Sequence, residues 1–127
     1  MPAPSLCLIG EGYLLQACAK KIIADKIVIT CVYTTDRESH HFFMKQGIPC
    51  VTTFRQWSAY LQQHPCDYGL SINNLIIIPK TILNLTKKGF INYHNGPLPA
   101  MRGLNTPAWR IYNKHKEHAI TWHQVDP

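Results

Sequence analysis

Long apolar runs are missing from this chain of 127 residues. None approaches the roughly 20 residues needed to cross a bilayer, so a membrane-spanning helix is not expected. The opening residues, Met1-Pro2-Ala3-Pro4-Ser5, lack the charged stretch leading into an apolar one that marks a secretory leader. Cys-x-x-Cys is absent, and the five cysteines (Cys7, Cys18, Cys31, Cys50, Cys66) are odd in number and scattered. They fit small buried hydrophobes in a reducing compartment better than a disulfide framework or a zinc site. A soluble, cytoplasmic protein of one domain, large enough for a true core, is therefore expected. Acidic side chains are also scarce, 7 against 13 Lys and Arg, for a formal charge of +6. The excess lies in the second part: residues 1–78 hold six basic and five acidic side chains, residues 79–127 seven basic and two acidic. That part favours an anionic partner, such as a phosphorylated substrate or nucleic acid. No RNP-type or helix-turn-helix pattern supports the nucleic acid.

What is present is an alternation of strand and helix patterns. Leu6-Cys7-Leu8-Ile9 is a continuous apolar run, as in a central strand buried on both faces. Gly10-Glu11-Gly12 turns it into a helix with Leu14, Cys18 and Ile22, flanked by Leu15 and Ile23, on one stripe. The Gly-x-Gly turn is part of a dinucleotide fingerprint, but Leu15 holds the third glycine position, and close helix approach to a pyrophosphate needs that glycine. Tight turning is the preferred reading. Ile27 to Tyr33 is a β-branched second strand. Thr35 and Glu38 form a capping-box pattern for a short helix ended by Gly47, in which His40 and His41 point in different directions and are expected to face solvent. Pro49 marks Ile48 to Val51 as a short or edge strand.

Thr53 and Gln56 make a second capping box, before a helix with Phe54, Trp57 and Leu61 on its apolar face that closes at His64-Pro65. Asp67 to Ile72 reads as a strand, followed by Asn73-Asn74, the apolar run Leu75-Ile76-Ile77-Ile78, and a helix from Pro79 to about Thr86. The apolar run fits core packing and a binding wall for a flat ring about equally well. Beyond a basic turn, Lys87-Lys88-Gly89, comes the most informative stretch: an apolar strand ending on Asn92, His94 and Asn95, broken at once by Gly96-Pro97-Leu98-Pro99. Strand alternation puts Asn92 and His94 on the same face, and strand ends are where ligands bind in open α/β sheets. An amide donor beside an imidazole can hold a developing oxyanion and move a proton, although most polar pairs at strand ends are hydrogen-bonded corners. Thr106 and Pro107 open another helix, with Trp109 and Tyr112 on one side, and Ala119 to Val125 is a last strand. His115, His118 and His123 do not share a face, so no metal site is expected.

Asn92-Tyr93-His94-Asn95-Gly96-Pro97-Leu98-Pro99 with Arg102-Gly103, and Ala119-Ile120-Thr121-Trp122-His123-Gln124-Val125-Asp126, together resemble the folate-dependent formyltransferase family. Its signature is Asn-x-His, a small residue, x-Leu-Pro and Arg-Gly, with a later Gly-Val-Thr-x-His-x-x-Asp. The chain is similar to the N-terminal domain of methionyl-tRNA formyltransferases. Its wording is closest to formyltransferase domains of peptide-synthetase-type biosynthetic proteins. The resemblance implies an α/β three-layer fold, a mostly parallel, Rossmann-like open sheet in which Leu6 starts an interior strand and the strands ending at Ile72 and His94 are neighbours.

It also implies 10-formyltetrahydrofolate as formyl donor, with no metal. Asn92 and His94 would be catalytic. Asn73, Asn74, Leu75, Ile76, Ile77, Ile78, Leu98, Arg102 and Gly103 would bind the folate, the residues from Asn73 to Ile78 lining its pterin. The acceptor would be a small-molecule amine or a carrier-bound amino acid, with tRNA less favoured. The alternatives are a formyltetrahydrofolate hydrolase, with water in place of the amine, and a folate-binding or interaction module without chemistry. The family's second Asp, which pairs with the catalytic His, would fall just past Pro127, since Asp126 takes the place of the first. The 127 residues are thus expected to be the front of a longer enzyme, C-terminally incomplete and close to inert alone.

Overall fold

The structure, a computed structural model, describes residues 3–94 and 121–125. Among them, β1 (Leu6–Gly10), β2 (Ile29–Tyr33), β3 (Cys50–Val51), β4 (Tyr68–Ile72), β5 (Phe90–His94) and β6 (Thr121–Gln124) form one sheet in the order β3-β2-β1-β4-β5-β6. The first five are parallel, and β6 runs antiparallel to β5. As expected, β1 is interior and β4 lies beside β5. All five residues of β1 are buried, which is why its sequence is apolar without alternation.

Helices α1 (Gly12–Ala24), α2 (Arg37–Lys45), α3 (Phe54–Gln63) and α4 (Lys80–Leu83) follow β1 to β4. They divide the core in two. On one face Leu15 and Ala19 of α1 and Phe43 of α2 pack on Leu6, Leu8, Val32 and Ile72. On the other, Trp57 and Leu61 of α3, with Ile82 and Leu83 of α4, pack on Cys7, Ile9, Cys31, Tyr33 and Phe90. Among the described residues no helix is long and apolar enough to cross a membrane.

Two close approaches fix the centre of the sheet. A Cβ on Gly10 would overlap the carbonyl of Ile72, and one on Gly69 would overlap the ring of Phe90. Glycine at these points lets β1 leave beside β4 and lets Phe90 lie over β4, edge-on to Trp57 at 5.7 Å. The cysteines behave as small apolar residues: all five are free, and Cys7, Cys31 and Cys66 are buried. Burial pushes the Cys31 thiol up to about 12 and that of Cys50 to about 11.

Three local expectations need correction. Helix α2 is capped by Asp36 rather than Thr35: the Asp36 side chain accepts from the Glu38 amide. Aspartate is the stronger cap and sits one residue later. Helix α4 is four residues long and stops at Leu83, because Thr86 bridges to Cys66 and its hydroxyl takes up the Leu83 carbonyl and the Gly89 amide, turning the chain toward β5. In α3 the box is present but shifted. Thr53 Oγ1 accepts from Gln56 N at 3.1 Å, while Gln56 Oε1 accepts from Thr52 N, one residue before the cap, at 3.2 Å. Pro49 does mark an edge, since β3 has two residues and, among the described residues, pairs on one side only.

Candidate active site

The C-terminal ends of the parallel strands all open on one edge of the sheet, where the connecting loops can carry ligand groups. Strand β5 brings Asn92 there. In the ladder Asn92 stands level with Ser71 of β4 on one side and His123 of β6 on the other. Phe90 enters the core under α3, whereas Tyr93 approaches Cys18 of α1, and burial raises its phenol above the ordinary value. Alternation therefore places half-buried Asn92 on the Phe90 face. His94 ends β5, level with Thr121 of β6. The β4–β5 ladder ends at Ser71 and Asn92, so Ile72-Asn73 and Tyr93-His94 leave it on adjacent strands at the same edge of the sheet.

The loop from Asn73 to Ile78 therefore begins where the Asn92/His94 strand ends. Asn73 turns the chain with φ of +51°, a conformation that asparagine tolerates better than most residues. Its Nδ2 donates to the Glu11 carbonyl at 3.1 Å, tying this loop to the β1–α1 turn. Asn74 is a buckle. Its Nδ2 donates to Ser71 Oγ at 3.1 Å and to the Ile76 carbonyl at 2.8 Å, and its Oδ1 accepts from Ile76 N at 3.0 Å. With its side chain spent on the loop, Asn74 shapes the wall rather than offering a free amide. Leu75 and Ile77 are 67% and 90% exposed, while Ile78 is 7% exposed and belongs to the α3/α4 core. The run thus splits: three apolar side chains face outward, and Ile78 anchors the loop and can offer a ligand only its main chain. Leu98, Arg102 and Gly103 lie outside the described residues, as do the helix expected from Thr106 and the residues Asp126, His115 and His118.

Sequence reasoning missed two features of this edge. The Asn74–Ile76 closure is an Asx turn, for which Asn at a loop start is the available signal. Asp36 does more than cap α2: its Oδ2 accepts from Gly12 N at 3.0 Å and from Ser39 Oγ at 2.6 Å. The Ser39 hydroxyl and the Gly12 amide hold its carboxyl below the usual range. This internal carboxylate occupies a donor at the start of α1 that would face a pyrophosphate in a dinucleotide fold, in keeping with the tight-turn reading of Gly10-Glu11-Gly12. Among the described residues no group of three His, Cys, Asp or Glu could hold a metal.

No family model matches the chain. It is 40% identical over 136 aligned positions to a GDP-perosamine N-formyltransferase of Brucella melitensis, an alignment covering 98% of this chain and 52% of that protein. The chain thus spans about half the length of that relative. Among solved structures, it is similar to a phosphoribosylglycinamide formyltransferase of Anaplasma phagocytophilum, with a TM-score of 0.80, 24% identity, and coverage of 98% of this chain and 65% of the other. A formyltetrahydrofolate deformylase of Pseudomonas syringae superposes with a TM-score of 0.84 at 18% identity, covering 98% of this chain and 47% of the other. At those identities the two structures attest to the fold.

Proposed function

Because the chain belongs to the formyltransferase family, we propose that it forms the donor half of an enzyme that moves a formyl group from 10-formyltetrahydrofolate to an amine. The single observation that carries this is the meeting of the Asn92/His94 strand end with the buckled, outward-facing apolar loop from Asn73 to Ile78 on one sheet edge. Leu75, Ile76 and Ile77 would give the pterin an apolar wall, and main-chain groups between Asn73 and Ile78 would read its polar rim. The amine attacks the formyl carbon. As the carbonyl π bond opens, Asn92 and protonated His94 donate to the oxygen where negative charge develops, each such donor being worth on the order of 3 kcal/mol of barrier. Collapse breaks the bond to the folate nitrogen, and His94 relays the proton lost by the amine to that leaving nitrogen, so the proton count closes.

A small amine on a sugar or a carrier-bound amino acid suits an open strand-end cleft. The 40% identical relative, named for a nucleotide-linked amino sugar, favours the sugar. The test is incubation of the full-length native protein with the formyl donor and a panel of amines, read by mass spectrometry. Formylated amine, lost in His94→Ala with folate binding retained, is the expected result. Free formate released at the same rate with no amine present would assign the protein as a hydrolase instead, and folate binding without turnover would leave a binding module.

A further inference from the structure

Two strands away from that cleft, on the same edge of the sheet, lies a cavity of about 460 Å³ lined by Thr35, Asp36, Arg37, His40, His41, Met44 and Thr52. Its volume is within the ~300–1,000 Å³ of small-molecule sites. Thr35 follows the end of β2 and Thr52 the end of β3, so the floor is made by the strand ends and one wall by α2. His40, half-buried, and His41, exposed as expected, both border it.

Three cationic or potentially cationic residues of α2 border this space, and among the described residues none of Arg37, His40 or His41 makes a side-chain hydrogen bond or ion pair. The one acidic lining group, Asp36, is already engaged by the donors Gly12 N, Glu38 N and Ser39 Oγ. Arg37, His40 and His41 of α2, with Thr35 just before that helix and Thr52 after β3, offer a guanidinium, two imidazoles and two hydroxyls, a set that suits the several oxygens of a tetrahedral phosphate better than one planar carboxylate. From β2 to β5 is three strand steps, about 14 Å at the ~4.8 Å spacing of a sheet. An acceptor with its amine at Asn92/His94 and a phosphate on an extended linker can span that distance.

We infer that the cavity bounded by Arg37, His40, His41 and Thr52 is a phosphate or diphosphate subsite for the acceptor of the reaction proposed above, on which this assignment rests. The seat that a helix start beside β1 offers an anion is filled by Asp36, and the acceptor's charged group is displaced sideways to α2.

The test follows the imidazole ¹H–¹³C resonances of the whole protein while inorganic pyrophosphate is added, with tri-γ-glutamate and sodium chloride at matched ionic strength as parallel arms. His64, which ends α3 at the opposite edge of the sheet and stacks on Tyr60 at 4.3 Å, is the internal reference. The expected result is saturable movement of His40 and His41 with pyrophosphate while His64 stays still, and a tenfold or greater loss of affinity in Arg37→Ala and in His41→Ala, both exposed positions outside the core. Equal movement of His64, tighter binding of tri-γ-glutamate than of pyrophosphate, or unchanged affinity in both variants would overturn the assignment. No formyl donor is present in this titration. Lost pyrophosphate binding with folate binding intact removes the subsite alone, whereas failure to bind folate strikes the parent reading and leaves the imidazole shifts to be judged by themselves.

Discussion

Ser71 and Asn92 stand level on adjacent parallel strands, and Ser71 is buried with its hydroxyl taken by Asn74 Nδ2 at 3.1 Å. One strand end thereby carries the candidate catalytic pair, and the other carries the buckle that shapes the candidate folate wall. Asn74→Ala removes both ends of the loop closure, each hydrogen bond contributing about 1 kcal/mol at most in so exposed a place. The expected outcome is a fall of a few degrees in Tm together with a larger loss of folate affinity, measured by ligand titration. A variant that melts earlier but binds folate as before would limit Asn74 to stability.

Asn92→Ala is expected to lower kcat by about 10²–10³-fold with folate affinity little changed, since the charge it meets develops only in the transition state. Steady-state kinetics on the full-length enzyme and thermal melting should be read together. If Asn92 only anchors the strand between Ser71 and His123, Tm falls and the kcat of the folded fraction stays.

The exposed and buried ends of the apolar run should separate in mutants. Ile77, at 90% exposure, loses little when replaced by Ser, within about 0.5 kcal/mol, yet folate binding should weaken. Ile78→Ala opens a hole beside Ile82 and Leu83 and is expected to cost about 2–4 kcal/mol. Denaturant melts and folate titration of the two variants check this contrast, which fails if Ile77→Ser is as destabilising as Ile78→Ala.

Gly69→Ala forces a methyl into the Phe90 ring, which leans on Trp57. The expected loss is about 3 kcal/mol, the upper end of overpacking costs, seen as a lower denaturant midpoint. A companion Phe90→Leu should recover part of it, because the ring is the obstacle.

Asp36 and Asp67 both sit below the ordinary carboxylate range. The Ser39 hydroxyl and the Gly12 amide hold Asp36 there, and the Ser5 amide with nearby Lys87 holds Asp67. A folded-state pKa lower than the unfolded one gives stability that is complete above the unfolded value, near ~3.9, and is lost as the pH falls through the folded one. Acid unfolding should therefore set in below about pH 4 for these two groups. Asp36→Asn should flatten that acid limb while lowering stability at neutral pH, as followed by circular dichroism from neutral to acid pH.

The sequence by itself determined the elements whose cause is local. A continuous apolar run made β1 central, Pro49 made β3 a short edge, and Thr53 with Gln56 opened α3. The apolar run before Asn92 and His94 made β5. Local pattern misjudged places where two signals competed, such as Thr35 against the better cap Asp36. It also misjudged α4, which the distant pairing of Cys66 with Thr86 cut short. Only the tertiary structure decided which face each apolar residue serves. Leu75, Ile76, Ile77 and Ile78 are nearly alike in chemistry, and nothing in their order says that the last is core and the others outward. That division follows from the Asn74 closure and from the position of α4 against Trp57 and Phe90. Arg37, His40 and His41 are neighbours on one helix, but Thr52 joins them around one cavity only because β2 and β3 end side by side, a nonlocal pairing.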